Sequence, residues 1–319
     1  MTSPKLVYFD TDPGVDDAVA LAYLCATPAV KLVGIGSIFG NTSSSQAAQN
    51  ALNWIEIMGQ PNIPVAMGAE HPSHGEFHGG TTWIHGELGT GAIELPQAKA
   101  QLDPRSAAEL LVDLANEYAG ELEIITVGPL TNIAQALDID PELPSKIKHV
   151  TIMGGATMHP GNISPVTEAN IGKDAEASAI VFNAPWPITM VGLDATMVNN
   201  FYDSHRERLY SSGSKSAKGI ADVLDFYFNF HLEIFGERRS ATHDPLAAAI
   251  GAGDIVPELA PVVNVVVDDS NGPGRGQTIC DLRGMYVDYP DQDGAHCAVV
   301  LKVPADSPER IIDMITTLP

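Results

Sequence analysis

The sequence predicts an α/β protein: a doubly wound, mostly parallel sheet with helices on both faces, in one domain spanning residues 1–319. Three observations predict it. Short apolar, β-branched runs alternate with helix-spaced segments along most of the chain. Those runs are continuously apolar, as in strands buried on both faces. Chemically capable polar residues recur just past their ends, where open α/β sheets bind ligands.

Each element has its own signal. "LVYFD" (6–10) is a strand, followed by helix-spaced "DDAVALAYLCAT" up to Pro28. "KLVGIGSI" (31–38) precedes the helix "SSQAAQNALNWIEIMG", which stops at Gly59, and "IPVAMG" (63–68) follows. "PRSAAELLVDLANEYAG" reads as a helix with Pro at its start and Gly at its end. "LEIITVG" (122–128), "HVTIMGG" (149–155) and "PITMVGLDAT" (187–196) are further strands, with helix-like "DAEASAIVFNA" between the last two. Beyond 261, "PVVNVVVDD", "QTICDLRG" and "HCAVVLKV" read as strands and "SPERIIDMITTL" as a closing helix. No repeat or charged linker divides the chain. The long irregular stretches are a Gly- and His-rich flap at 69–98 and the segment 156–173, and long loops in compact domains are usually functional.

Composition narrows the function. The 319 residues, 45% of them hydrophobic, are enough for a large core. With 40 acidic residues against 17 Lys+Arg, the formal charge is −23. That charge excludes a phosphate-backbone or anionic-membrane partner and points to a neutral substrate, or one accompanied by a cation. Cys25, Cys280 and Cys297 lack C-x-x-C spacing and read as reduced thiols of a cytoplasmic protein. No secretory h-region and no apolar stretch of about 20 residues is evident.

The densest chemical signal is "YFDTDPGVDDAVAL" (8–21), where Asp10, Asp12, Asp16 and Asp17 crowd the end of an apolar run. Helix starts favour aspartate, which accounts for Asp16 or Asp17 alone. Asp10 and Asp12 as well demand protonation or a cation, and a hard ion with oxygen ligands suits them. Asp244 in "THDPLAAAI" (242–250) stands in a similar strand–loop–helix context, with an N-cap role as its ordinary explanation. "FDTDPG" has the D-x-D of haloacid-dehalogenase-type Mg²⁺ phosphatases, with Asp10 as nucleophile, but Gly14 departs from that pattern. A non-catalytic nucleoside- or ribose-binding protein is a further alternative. "GIGSIFG" places its third glycine one position late for a dinucleotide fingerprint, and "GSKS" lacks a phosphate loop's upstream glycine. His71, His74, His78 and His85 lie among glycines, as in a mobile flap carrying one or two functional histidines rather than in a zinc site.

Together "DTDPGVDDA" (10–18), "GN" (40–41), "VGPLTNIA" (127–134), "MGG" (153–155), "GNISPVTEANIGKDAEA" (161–177), "HDPLA" (243–247) and "RGQTICD" (275–281) resemble the inosine–uridine nucleoside hydrolase family, in its order and over nearly the whole chain. The resemblance implies hydrolysis of the N-glycosidic bond of ribonucleosides by a homodimer or homotetramer. It also implies Ca²⁺ held by Asp12, Asp17, Asp244 and the Val127 carbonyl. Asp12 would take a proton from water, with Asn41 near the aspartates. Asp16, Asn162, Glu168 and Asn170 would grip ribose. His243, and His85 on the flap, would lie on the base side.

The residue types suit that chemistry. Carboxylates and amide oxygens stabilise an oxocarbenium-like sugar, and a histidine titrating near neutrality would protonate the departing base. Ala169 and Ala175 stand where the family often has Phe and Pro. In the base-side helix and loop at 218–243, Phe226, Tyr227, Phe230 and Phe235 are spaced like a core face. Tyr227, His231 and the flap's Trp83 are candidate base contacts.

Overall fold

The first strand is apolar because both its faces are covered. In the computed structural model, which describes residues 3–319, β1 (Lys5–Thr11) buries Val7, Tyr8 and Phe9 completely. It pairs in parallel with β2 (Val30–Ser37) on one side and β5 (Leu122–Thr126) on the other. Outward from β2 lie β3 (Val65–Met67) and β4 (Asp103–Ser106). Outward from β5 lie β6 (Ile147–Met153) and β7 (Ile188–Val191). Two further sheet strands are β10 (Val262–Val263) and β13 (Cys297–Val299), giving the order β10-β13-β7-β6-β5-β1-β2-β3-β4. Only β10 runs antiparallel to its neighbour within this sheet. Two small antiparallel pairs join β8 (Asn200–Tyr202) to β9 (Arg239–Ala241) and β11 (Val265–Val267) to β12 (Thr278–Cys280).

Helices cover both faces. Val15–Ala26, Ser44–Ile57, Lys215–Phe235, His243–Ala252 and Ser307–Ile315 contribute to one apolar cluster, with Val19, Trp54, Ile220, Leu246 and Ile312 at its centre. Ala107–Glu117, Thr131–Ile139 and Ala175–Asn183 build the other through Leu110, Ile133 and Val181. The winding direction reverses between β1 and β5, so the loops after these strands part and leave a crevice at their carboxyl ends. No helix among the described residues is long and apolar enough to cross a membrane.

Several local expectations are corrected. Pro104 does not open a helix: it lies in β4, an edge strand that tolerates its missing N–H. The helix starts at Ala107, where Ser106 and Glu109 form a reciprocal capping box. The run 187–196 ends its strand at Val191 and makes a helical turn at Leu193–Thr196. "PVVNVVVDD" divides between β10 and β11, which pair with different partners. Within 156–173, Ala169–Lys173 is helical, its first N–H groups accepted by the Glu168 carboxylate. Thr242, not Asp244, is the N-cap residue of His243–Ala252.

Candidate active site

At the end of β1 the chain must turn under a crowded ceiling. A Cβ on Gly14 would stand 2.5 Å from His85 Nδ1 and 2.7 Å from Asn41 Nδ2, so only glycine fits. The helix then begins, and Asp17 is locked at its N-terminus. One Asp17 oxygen accepts from Thr11 Oγ1 (2.5 Å) and Asp12 N (3.1 Å), the other from Gly14 N and Asn41 Nδ2 (both 2.9 Å).

The other carboxylates are less satisfied. Asp12 Oδ2 accepts from Asn41 N at 2.6 Å, while its Oδ1 is buried without a hydrogen-bond partner. Asp16 Oδ2 accepts from the Tyr227 hydroxyl at 3.4 Å, and its Oδ1 is likewise buried and unpartnered. Burial, and then the Asp17 charge, push Asp16 up to about 7 and Asp12 well above the ordinary carboxylate range. Asp244 is also raised, first by burial and then by Asp16, Asp17 and Asp12. Oxygens of Asp16, Asp17 and Asp244 lie within 4.8 Å of one another. Such a buried group of hard oxygens fits a divalent cation, which would relieve the repulsion and satisfy the orphaned oxygens.

Asp16, assigned to the sugar, joins the converging trio. Asp12 stands beside it: Asn41 N holds its Oδ2 next to Gly40, where a Cβ would come within 1.9 Å, and its Oδ1 keeps no hydrogen-bond partner. Asn41 lines the cavity and anchors Asp12 through its backbone N–H and Asp17 through Nδ2. Val127, after β5, lines the cavity, and its carbonyl accepts from Asn170 Nδ2 at 2.8 Å.

The cavity measures about 420 Å³, ample for a small ligand. Asp16, Asn162, Glu168 and Asn170 meet there with His85, His243, Tyr227 and His231, from segments far apart in sequence. The Glu168 carboxylate accepts from Asn170 N, Ile171 N and Gly155 N, which pins this part of the cavity wall, and burial raises its pKa. Ala169 lines the cavity as well.

Both cavity histidines, His85 and His243, are held neutral by burial. Burial lowers His85 to about 3, with Lys173 adding to the effect; its Nδ1 accepts from Val15 N at 3.1 Å, so the proton sits on Nε2. His243 is likewise lowered to about 3, by burial and then by His231 and His159, which corrects the expectation of a ring titrating near neutrality. Thr196 Oγ1 lies 2.8 Å from its Nδ1, and among the described residues no carboxylate hydrogen-bonds to the ring.

The aromatic residues of Lys215–Phe235 are not simply core. Tyr227, Phe230 and Phe235 line the cavity, with Tyr227 and His231 edge-to-face at 4.6 Å between ring centroids and His231 stacked on Phe235. Phe226 instead faces Gly91 outside it. Trp83 is 65% exposed and outside the cavity lining: in the one-turn helix Thr82–His85 its neighbours Ile84 and His85 take the inward side. His71, His74 and His78 are exposed and outside the metal-competent group. Sequence reasoning missed Lys173, His159 and Thr196. Lys173 stood within a quoted motif, but nothing in its spacing marked it.

The phosphatase alternative fails here. Asp10 is fully buried, with Oδ2 held by Tyr8 OH and Asn132 Nδ2 (both 3.0 Å), and it does not reach the cavity.

Residues 7–308 match the model of the inosine-uridine preferring nucleoside hydrolase family. The chain belongs to that family. It is 36% identical over 278 residues to uridine nucleosidase 1 of Arabidopsis thaliana, covering 87% of this chain and 82% of the relative. It is 34% identical over 307 residues to the inosine-uridine preferring nucleoside hydrolase of Leishmania major, covering 95% and 94%. Its fold superimposes on a plant nucleoside hydrolase with a TM-score of 0.91 at 29% identity, over 99% of this chain and 100% of that one. A purine-preferring ribonucleoside hydrolase from Gardnerella vaginalis gives 0.89 at 30%, over 98% of each. As a nucleoside hydrolase the chain is an enzyme of N-glycosyl bond hydrolysis, and the non-catalytic alternative falls with the phosphatase.

Proposed function

We propose that this nucleoside hydrolase is Ca²⁺-dependent, acts on free ribonucleosides to release base and ribose for salvage, and works as a homodimer or homotetramer. One observation carries the cation: buried Asp12 and Asp16 each keep a carboxylate oxygen without a hydrogen-bond partner beside Asp17 and Asp244. Asp12, Asp16, Asp17, Asp244 and the Val127 carbonyl are the groups that would hold it. When bound, the ion supplies Lewis-acid charge that grips a vicinal diol and makes water a better nucleophile.

The chain's own groups do the rest. Asp12 accepts the proton of the attacking water. Asp16, Asn162, Glu168 and Asn170 orient the ribose, and the surrounding carboxylates stabilise positive charge developing on the ring. Thr196 Oγ1 lies 2.8 Å from His243 Nδ1; in the tautomer in which that hydroxyl donates, the neutral ring carries its proton on Nε2 and offers it to the departing base. Tyr227 and His231 stand with it on the base side, together with His85.

Two measurements test this reading. Exhaustive chelation should abolish turnover and Ca²⁺ should restore it; full activity in demonstrably metal-free protein overturns the cation. His243→Ala should slow hydrolysis of inosine by about 10²–10⁴, the usual worth of general acid catalysis, and spare a nitrophenyl riboside whose leaving group is already a stable anion. Equal slowing of both substrates would instead assign His243 to shaping the aspartate cluster. Sedimentation of the active enzyme reads the assembly.

A further inference from the structure

Lys173 closes the short helix Ala169–Lys173 and forms part of the cavity wall. Its Nζ stands 3.7 Å from Asp12 Oδ2, and the side chain is 19% exposed. Among the described residues lining the cavity it is the one lysine or arginine, in a wall that also carries Asp16, Glu168 and Asp244. The base of this arm is fixed: the Glu168 carboxylate caps the helix, and Asn170 Nδ2 donates to the Val127 and Met153 carbonyls.

We infer that Lys173 is a built-in counter-ion of the carboxylate cluster, sharing Asp12 with the divalent cation and thereby holding down cation affinity while steadying the cation-free fold. The inference rests on the cation reading proposed above. Its physical basis is direct. An ammonium and a divalent cation that draw on the same carboxylates repel each other, and salt screens a partly buried pair only weakly. Without either positive charge, Asp12, Asp16, Asp17 and Asp244 would face one another unrelieved. The ammonium's influence reaches Asp12, Asp16 and Glu168, where it opposes the rise that burial imposes. A lysine suits such a role, since its flexible stem carries a compact point charge.

The test measures Ca²⁺ binding by calorimetry on chelator-stripped protein, with thermal melting in chelator alongside. Lys173→Met preserves length and removes charge, whereas Lys173→Arg preserves charge. The Met variant should bind Ca²⁺ at least about tenfold more tightly and melt below wild type in chelator, with the Arg variant close to wild type on both. If the Met variant does not fold, Lys173→Gln carries the same comparison. Unchanged or weaker Ca²⁺ affinity in the neutral variant overturns this inference alone. Absence of Ca²⁺ binding by wild type overturns the cation reading, and this inference with it.

Discussion

Asp174→Ala should loosen the flap from the body of the enzyme. Asp174 is almost completely buried, and its Oδ2 accepts from Ser73 N (2.7 Å), Ser73 Oγ (2.9 Å) and Thr131 Oγ1 (2.7 Å). Its Oδ1 accepts from Ala177 N at 3.0 Å as the N-cap of Ala175–Asn183. Loss of the cap costs about 1 kcal/mol. Stranding the buried Thr131 hydroxyl costs about 2 kcal/mol more. Ser73 is exposed and regains water, so it adds little. The total of about 3 kcal/mol corresponds to a fall in Tm of about 6 °C for a chain of this size.

Function should change with it, because Ser73 belongs to the segment that leads to Thr81, Ile84 and His85 in the cavity wall. A freed flap weakens substrate grip, so KM should rise several-fold while kcat stays within about threefold. Asp174→Asn should fall between, since its single carbonyl oxygen can still receive Ser73 and Thr131 but its amide cannot cap Ala177. Differential scanning calorimetry and steady-state kinetics on inosine and uridine decide the matter. A loss of less than about 2 °C in Tm, or a collapse of kcat at unchanged KM, refutes the latch.

Asp10→Asn should keep activity within about tenfold, because Asp10 lies outside the cavity, whereas Asp12→Asn should lose more than about a thousandfold in kcat; the reverse order in a ribose-release assay would contradict the assignment of Asp12. Trp83→Ala should leave kcat/KM within about twofold for purine and pyrimidine nucleosides, as expected for a surface substitution; a larger drop would mean that the flap closes Trp83 onto the base. Thr196→Val removes the hydroxyl beside His243 Nδ1 and should slow inosine hydrolysis about tenfold or more while sparing a nitrophenyl riboside, read as the ratio of the two kcat values. Burial pushes the thiols of Cys25 and Cys280 up to about 12 and raises Cys297 as well. At pH 8 the native protein should therefore react only slowly with a disulfide reagent, followed by absorbance, and rapidly after denaturation.

Much of this enzyme is legible along the chain because its signals are local. β1, β2, β5 and β6 are buried on both faces, so their apolar runs stand out without knowledge of their partners. "DTDPGVDDA" declares its carboxylates, and the position of Asp244 at the start of a small-residue helix pairs it with them. Where the reading slipped, two local signals competed. Pro104 fits a helix start as well as an edge strand, and only pairing with β3 decides between them. The aromatic spacing in Lys215–Phe235 marks a buried face, but a cavity wall and a core have the same period.

What the sequence determined by itself is the alternation of strands and helices, the acidic cluster, and the loops that carry the chemistry. Tertiary structure alone decided how the carboxylates divide. Asp17 is saturated by four donors, Asp10 is buried away from the cavity with only its Oδ2 held, by Tyr8 and Asn132, and Asp12 and Asp16 keep unpartnered oxygens at the cluster. It also decided that Lys173, more than 150 residues from Asp12, meets it, that His243 rests on Thr196, and that Trp83 turns outward. The reason is physical: burial and hydrogen-bond partners set the state of a charged group, and those partners come from distant segments gathered at the break between β1 and β5.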